Sequence, residues 1–426
     1  MSASVVSARP LDDEFTAWYT NEPSVTDDPY PFFHRLRAEA PVYRRDRLVV
    51  LSRYDDCAKA SIEPALWKTD GRSYDYGSLD PSALPPAQRE KMRAIFEMEK
   101  LGINKLEGAQ HARVRGLVQK AFTPRTIDSL QGRIERITEQ LLDAVAASGR
   151  IDAIDDFAYQ LPLIVICEML RVPPEDRGRI RAWGLGMSPL FSGVVHDAAG
   201  VIDRAYDDRV ALFAYMREVV RHQRGRPPDP SSVMSMLIFA ADGGDELSED
   251  ELVGVTAQMV FAGHETTTNA IGNGIVALMT HRDQWDVLRE EPTLVRGAVD
   301  EILRFEPPVH TDPRFASGDR EIGGEPIRQG DRLRLIWAAA NRDPARFADP
   351  DRFDVTRRDV KHLAFGVGRH YCLGSSLATL EIATALGALV RRFPDMRMAE
   401  EWPRWRGSFN LRGVTELPLD LGRDHG

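Results

Sequence analysis

A glycine-rich stretch near the carboxyl end of the chain carries the side chain best suited to bind a metal. Residues 365–374 read Phe-Gly-Val-Gly-Arg-His-Tyr-Cys-Leu-Gly, and a helical pattern follows over residues 377–390. Cys372 therefore lies at the N-terminus of a predicted helix. The dipole and the unpaired amides of such a helix end favour an anionic thiolate, which is a good ligand for metal ions.

The neighbours of Cys372 suit a thiolate that meets a bulky group. Gly366 and Gly368 permit a tight turn with backbone angles that other residues avoid. Gly374 leaves space beside the first helical turn, and the Phe365 ring is placed to shield the sulfur from water. The segment thus predicts a protected thiolate on an open turn.

From the residues alone, several roles of Cys372 remain open. Free cysteines are mostly small, buried packing residues. A nucleophilic cysteine needs a histidine base, an orienting group and an oxyanion hole, and no such signature accompanies the nearby His370. Iron–sulfur clusters need several cysteines, whereas Cys57 and Cys167 are distant in the sequence. A single thiolate on a glycine-rich turn is best suited to be one axial ligand of a haem iron.

The longest helical segment carries a second motif in its middle, where residues 262–267 read Ala-Gly-His-Glu-Thr-Thr. A glycine inside a helix costs roughly 1 kcal/mol relative to alanine, so Gly263 needs a reason. One reason is a notch in which a diatomic ligand binds above an iron. Glu265 and the Thr266 hydroxyl could then relay protons to that ligand. The alternative is an ordinary buried helix with a polar seam, because Gly and Thr also serve packing.

The elements that must position these motifs are mostly helical. The long segment begins with a capping box at Ser248 and Glu251 and continues to about Met279, which corresponds to roughly 48 Å of helix. Residues 61–108 are rich in Pro and Gly and predict a loop, either a plain surface loop or a lid. Other helical patterns cover residues 27–40, 111–122, 127–145, 154–170 and 198–220, and short strands are predicted within residues 42–51, 309–338 and 408–420.

The composition limits the class of protein. The 426-residue chain has 43% hydrophobic and 28% charged residues, which is typical of a globular protein with a large core. Its net charge of −10 argues against general nucleic-acid binding, because phosphate contacts need clustered cations. No run of 18 apolar residues and no secretory signal is found, so we expect no membrane anchor. Three scattered cysteines favour a reducing compartment, and we expect a cytoplasmic protein.

The cysteine stretch resembles the haem-binding signature of the cytochrome P450 superfamily, with its Phe-Gly start and with Gly, His, Cys and Gly at alternate positions. The oxygen-activation motif of that family matches Ala262, Gly263, Glu265 and Thr266 residue by residue. The length and the missing anchor make the chain most similar to the soluble bacterial branch. The resemblance covers about residues 27–420.

Distant positions agree with this resemblance. Glu301 and Arg304 match the family's Glu-x-x-Arg motif, which implies a buried structural ion pair that ties a helix to the loop before the cysteine. The family's propionate-binding positions match His111 and Arg115 on one predicted helix, and they also match Arg314 and His370. The positions implied to contact the haem are His111, Arg115, Ala262, Gly263, Arg314, Phe365, Gly366, His370, Cys372 and Gly374.

The resemblance implies a mainly α fold with a minor β part, in which the haem lies between the long central helix and the helix after the cysteine loop. We expect one cytochrome P450 domain over residues 1–426, with residues 1–26 as an extended N-terminal segment. The implied cofactor is haem b, with Cys372 as its iron ligand, and the implied oxidant is O2. Electrons would come from NAD(P)H through a ferredoxin reductase and a ferredoxin, and we expect a monomer.

The implied reaction inserts one oxygen atom into a C–H bond, by hydroxylation or epoxidation. Two alternatives keep the haem and change the chemistry: a peroxide-driven peroxygenase and an oxygen-independent isomerase. Such relatives usually lose the acid–alcohol pair, which is present here as Glu265 and Thr266. A haem-binding sensor or carrier without turnover would leave that pair idle.

We expect the substrate to be mid-sized and mostly apolar. Helical spacing places Gln258 on the haem side of the long helix, where its amide binds either a polar substrate group or a neighbouring backbone group. The expected substrate contacts are Tyr74, Tyr76 and Phe96 in a lid, Gln258, Phe261 and Ala262 in the long helix, Val309 and His310 after a double proline, and Phe409 and Leu411 near the C-terminus.

Basic residues cluster in two segments that the resemblance places on the cysteine side of the haem. Such a surface would steer an acidic ferredoxin, unless it is merely solvated. The basic residues are Arg113, Arg115, Lys120, Arg125, Arg133 and Arg136 in the first segment and Arg357, Arg358, Lys361 and Arg369 in the second.

Overall fold

The computed structural model describes residues 9–69, 79, 81–193, 197–242, 244–399 and 403–425. A π-helical turn covers Ala153–Ala158. The α-helices are α1 (Leu11–Tyr19), α2 (Pro23–Thr26), α3 (Tyr30–Glu39), α4 (Tyr54–Ile62), α5 (Pro86–Glu99), α6 (Gly108–Gln119), α7 (Pro124–Ala146), α8 (Gln160–Met169), α9 (Arg177–Ser192), α10 (Ala198–Arg224), α11 (Val233–Ile238), α12 (Glu249–Thr280), α13 (Arg282–Glu290), α14 (Val295–Phe305), α15 (Trp337–Ala340) and α16 (Ser375–Arg392).

The β part consists of one five-stranded sheet and short ladders. The sheet has the order β1-β2-β10-β7-β3, in which β10 runs parallel to β2 and the other neighbours are antiparallel. The strands are β1 (Val42–Arg45), β2 (Leu48–Leu51), β3 (Leu66–Trp67), β4 (Arg150–Asp152), β5 (Ala241–Asp242), β6 (Asp245–Glu246), β7 (Thr311–Ala316), β8 (Arg320–Ile322), β9 (Glu325–Ile327), β10 (Arg332–Ile336), β11 (Arg397–Met398), β12 (Arg404–Trp405), β13 (Val414–Glu416) and β14 (Pro418–Asp420).

Helix α12 runs through the middle of the fold, as its length predicts. The predicted capping box is formed: the Ser248 backbone N–H donates to Glu251 Oε2 at 2.9 Å, and the Glu251 N–H donates to Ser248 Oγ at 3.2 Å. Along its length α12 packs against α8, α10, α14 and α16. The mainly α fold with a minor β part is therefore confirmed. Among the described residues, no helix is both long and apolar enough to span a membrane.

The N-terminal segment is helical from Leu11, so the expectation of an extended segment over residues 1–26 is wrong for its described part. Phe15 and Trp18 occur at helical spacing on α1 and are 1% and 0% exposed. Their rings pack against Tyr43 of β1 and Phe33 of α3. Packing of these aromatic rings on the sheet and on α3 stabilises a helix too short to form by itself.

The predicted loop over residues 61–108 also contains a helix, α5, with Pro86 at a permitted first-turn position. Met92 and Ile95 form its apolar face and pack in one cluster with Ile202 of α10. The proline-rich start of this segment concealed the helical spacing behind it.

Candidate functional site

Cys372 lies in a loop that turns back on itself before α16 begins at Ser375. Gly366 and Gly368 have φ angles of 68° and 76°, which residues with side chains rarely adopt. The Cys372 backbone N–H donates to the Phe365 carbonyl at 2.9 Å. The two glycines therefore produce the tight turn that the sequence predicts.

The surfaces around this loop fit a flat prosthetic group. A methyl group built on Gly374 would have no atom within 4 Å, and the Cys372 side chain is only partly buried. Ala262 is exposed although it lies in the middle of the central helix. Helix α12 packs along α16, so the two open surfaces belong to neighbouring elements.

The thiol of Cys372 experiences opposing influences. Burial raises its pKa, while the Gly374 backbone N–H and the Arg115 guanidinium lower it. The helix-end stabilisation expected from the sequence is thus present as the Gly374 contact, but it does not outweigh burial. Coordination to a metal ion would deprotonate the thiol outright.

Basic residues from α6 meet the cysteine loop. Arg115 Nη2 donates to the Tyr371 carbonyl at 2.7 Å, and the His111 ring centroid lies 4.4 Å from that of His370. Nε2 of His370 is 3.3 Å from Glu107 Oε1. Burial, together with His370 and Arg115, lowers the pKa of His111 to about 4, so this ring is neutral at neutral pH. The structure brings all of these residues together.

Arg314 lies on β7 and is 2% exposed. It forms an ion pair with Asp312, and Asp312 also pairs with Lys68. His111 Nε2, Arg314 Nε and Trp337 Nε1 are among the buried nitrogen atoms that have no hydrogen-bond partner within the described residues. Donors of this kind fit the carboxylates of a haem. The sequence analysis missed Lys68 and Asp312, because no local pattern marks either residue.

Glu301 and Arg304 form a bidentate ion pair with both side chains 0% exposed. Arg304 Nε donates to Glu301 Oε2 at 2.7 Å, and Arg304 Nη2 donates to Oε1 at 2.8 Å. Arg304 also donates to the Asn341 carbonyl at 3.1 Å, and Asn341 Oδ1 accepts the Leu363 N–H at 2.7 Å. The pair thus connects α14 to the start of the cysteine loop.

The residues of the oxygen-activation motif lie on different sides of α12. A methyl group on Gly263 would touch Ile166 of α8 at 3.4 Å, so the notch expected at Gly263 faces α8, and that expectation is wrong. Ala262, about 100° away around the helix, presents the open surface instead. Thr266 lies one turn later and donates its hydroxyl to the Ala262 carbonyl at 3.0 Å.

Glu265 contacts two residues that the sequence analysis missed. Its Oε1 accepts a hydrogen bond from Ser188 Oγ at 2.6 Å and forms an ion pair with Arg406. The Glu265 side chain is 7% exposed, whereas that of Arg406 is 26% exposed. The carboxylate is therefore connected to solvent through a residue of the C-terminal loop. No sequence signal could have found this pairing, because the partners are far apart in the chain.

His264 stabilises the packing beside the motif. Its Nδ1 is 2.7 Å from the Val260 carbonyl, which requires a proton on Nδ1, so Nε2 accepts from the Tyr159 hydroxyl at 3.1 Å. Burial lowers the pKa of His264, and the ring is neutral. Its hydrogen bonds attach α12 to the start of α8.

Of the expected substrate contacts, Gln258, Phe261 and Val309 keep accessible surface, whereas Leu411 is only 6% exposed. The Phe261 ring packs against Phe191 of α9 at a tilt of 31°, with ring centroids 4.4 Å apart. Gln258 packs under Gly102, where a built methyl group would lie 2.5 Å from Gln258 Oε1. Val309 forms a backbone bridge with Leu411, whose side chain is buried.

Other expected substrate contacts point away from this region. His310 is 1% exposed and packs against the rings of Tyr30 and Phe33. Phe409 is 2% exposed and packs against Trp18 and Tyr19. The predictions for His310 and Phe409 are wrong because N-terminal helices bury both side chains. Helix α3, which was predicted, covers His310, and α1, which the sequence analysis missed, covers Phe409.

Of the three residues expected in a lid, Tyr74 and Tyr76 lie outside the described residues. Phe96 is 1% exposed on α5, so it is a packing residue of a helix and not part of a mobile lid as predicted.

Comparison with known proteins agrees with this geometry. The family model described as "Cytochrome P450" matches residues 188–401. Cytochrome P450 107B1 of Saccharopolyspora erythraea is 38% identical over 384 residues, covering 88% of this chain and 89% of the relative. Vitamin D(3) 25-hydroxylase of Pseudonocardia autotrophica is 36% identical over 406 residues, covering 93% and 94%.

The crystal structure of P450BioI in complex with a hexadec-9Z-enoic acid ligated acyl carrier protein is similar in fold. It has a TM-score of 0.83 and 32% sequence identity, and the match covers 93% of this chain and 98% of that one. The chain therefore belongs to the cytochrome P450 family. It is a haem-thiolate monooxygenase, an oxidoreductase that uses a haem iron, O2 and external reductant.

Proposed function

We propose that the protein binds haem b with Cys372 as the proximal iron ligand and oxygenates a C–H bond of a mid-sized, mostly apolar molecule. The observation that carries this proposal is the open space at Gly374, two residues after Cys372. Gly374 directly precedes α16, which packs along α12, and Ala262 of α12 is exposed. The bound haem supplies O2 activation, which a thiolate ligand favours.

The chain's own residues hold the haem and move protons. The cations around Arg115 and Arg314 bind the haem carboxylates. Thr266, one turn from Ala262, passes a proton from its hydroxyl into the site, and Glu265 replaces that proton. The contact of Glu265 with the partly exposed Arg406 gives the carboxylate access to solvent protons.

The proposed substrate class rests on the walls of the site. Phe191 and Phe261 form an aromatic wall of two tilted rings in contact. Gln258 Oε1 has no hydrogen-bond partner among the described residues, and we assign it to a polar substrate group or a water. One relative is named Vitamin D(3) 25-hydroxylase, and one similar structure is a complex with an acyl carrier protein ligated to hexadec-9Z-enoic acid. Vitamin D(3) and this fatty acid are both long, mostly apolar molecules, which supports the proposed substrate class.

Turnover with defined reductants tests the function. We expect product formation from O2 and NADPH when a surrogate ferredoxin and its reductase are added. Product formation with hydrogen peroxide alone, and none with the redox proteins, would favour a peroxygenase. Absence of turnover under both conditions, with haem bound, would favour a sensor or carrier.

A ferredoxin is proposed to dock on the cysteine side of the haem. Several basic residues there are already engaged: Arg113 pairs with Asp245 and Arg133 with Glu168. Arg357 pairs with the buried Glu301. Lys120, Arg125, Arg136, Arg358 and Lys361 are exposed and lie outside these ion pairs, and Lys120 donates to the Ala241 carbonyl at 2.9 Å. The patch is therefore smaller than the sequence suggests.

Charge reversal tests this docking site. We expect Arg358→Glu/Lys361→Glu to slow ferredoxin-to-haem electron transfer about tenfold or more at low salt, with the difference shrinking as salt screens the charges. The measurement is the stopped-flow reduction rate against ionic strength, with the exposed Arg226→Glu as the control. Rates that do not depend on salt in the unmodified protein would count against the patch.

A further inference from the structure

Lys68 is a buried lysine that the proposed reaction leaves without a role. It directly follows β3, and its side chain is 13% exposed. Burial lowers its pKa to about 8, although the neighbouring Asp312 carboxylate favours the charged form. A cation in such a position is costly unless anions surround it.

Three sets of contacts tie Lys68 to the haem side of the fold. The antiparallel register of β3 with β7, in which Leu66 faces Ala316, places Lys68 opposite Arg314. Its ammonium group pairs with Asp312, and its backbone N–H donates to Glu107 Oε1 at 2.5 Å.

The third set of contacts connects Lys68 with Gly366 of the cysteine loop through the Trp337 ring. Lys68 Nζ lies 5.8 Å from the centroid of the Trp337 ring. The far edge of that ring lies 3.4 Å from a methyl group built on Gly366. Trp337 Nε1, which has no hydrogen-bond partner among the described residues, is thus available beside Lys68.

The charges in this cluster do not balance within the described residues. Its lysine and arginine residues are Lys68, Arg115, Arg314 and Arg369, and its carboxylates are Asp312 and Glu107. The four cationic side chains exceed the two carboxylates by two, which equals the charge of two ionised haem propionates.

We propose that Lys68 binds one haem propionate, with the Trp337 indole N–H as a neutral donor beside it. This inference rests on the proposed binding of haem b. Asp312 shares its two cations with the propionate and keeps them in position. Lys68 is then a cofactor-binding residue, contributed by the segment after β3.

Haem loss from the holoenzyme tests the proposal. Lys68→Met removes the ammonium group and keeps the length of the side chain, and Lys59→Met changes an exposed lysine of α4 as the control. We expect Lys68→Met to release haem to excess apomyoglobin about ten- to a hundredfold faster, and Lys59→Met to behave like the unmodified protein. The readout is the Soret band.

A second pigment separates propionate binding from a general effect on folding. Full-length protein is reconstituted with iron protoporphyrin IX or with its dimethyl ester, which has no carboxylate charge. We expect Lys68→Met to accelerate loss of the acid form and to leave loss of the ester unchanged. Equal acceleration for both pigments, or no acceleration for either, would overturn the assignment of Lys68. Failure of the unmodified protein to bind either pigment would contradict the proposed function itself.

Discussion

Replacement of Glu265 by glutamine is expected to lower product formation by about a hundredfold or more, while haem and substrate binding stay unchanged. Glutamine keeps the shape of the side chain and its contact with Ser188, but it cannot release a proton. The electrons from NADPH would then reduce O2 to hydrogen peroxide or water, and the substrate would not be oxygenated. The measurement is the ratio of product formed to NADPH consumed.

Two further variants place this effect within the proposed relay. Thr266→Ala is expected to uncouple NADPH use from product formation in the same way, because it removes the hydroxyl next to Ala262. Asp250→Asn removes an exposed carboxylate from the N-terminus of the same helix and serves as the matched control. Unchanged coupling in Glu265→Gln and Thr266→Ala would remove both residues from proton delivery.

Replacement of Arg304 by methionine is expected to cost about 3–5 kcal/mol of unfolding free energy, because the buried Glu301 carboxylate would lose its bidentate partner and keep only the longer contact with Arg357. The variant also lacks the hydrogen bonds that Arg304 donates to the carbonyls of Asn341, Pro350 and Arg352. The measurement is the urea midpoint and slope of the holoenzyme.

The control for this variant is Arg352→Met, since the Arg352 side chain is 66% exposed and pairs only weakly with Asp354 at 3.7 Å. We expect its midpoint to stay close to that of the unmodified protein. The double variant Glu301→Gln/Arg304→Met is expected to lose less than Arg304→Met alone, because no buried carboxylate is left without its bidentate partner. Equal midpoints for Arg304→Met and Arg352→Met would show that the pair does not stabilise the fold.

Local signals made much of the fold and of the cysteine loop predictable. Helix α12 follows from the capping box at Ser248 and from a long apolar pattern, both of which act within a few residues. The turn before Cys372 follows from Gly366 and Gly368, whose positive φ angles depend only on the local backbone.

What the sequence could not provide depends on distant partners. Ser188 and Arg406 reach Glu265 from positions 77 and 141 residues away, and neither carries a local pattern. Lys68 meets Asp312 through the pairing of β3 with β7, 244 residues apart. These contacts form only after the sheet and the C-terminal loop are in position.

The direction in which a side chain faces also depends on neighbours that the local sequence does not reveal. His310 turns toward α3, whose position was predicted but whose packing partners were not, and Phe409 turns toward α1, whose short apolar pattern was too weak to predict. The interpretation of Gly263 failed for a related reason: a glycine in a helix reveals a close neighbour but not which neighbour, and here it is Ile166.

The Soret band of the reduced, carbon monoxide-bound protein tests most directly whether Cys372 is the iron ligand. We expect the unmodified protein and the control variant Cys167→Ala, which changes a buried cysteine of α8, to show the strongly red-shifted band of thiolate-ligated haem. Cys372→Ser is expected to lose that band. A Cys372→Ser protein that retained the red-shifted band would contradict the assignment of Cys372 and, with it, the proposed site.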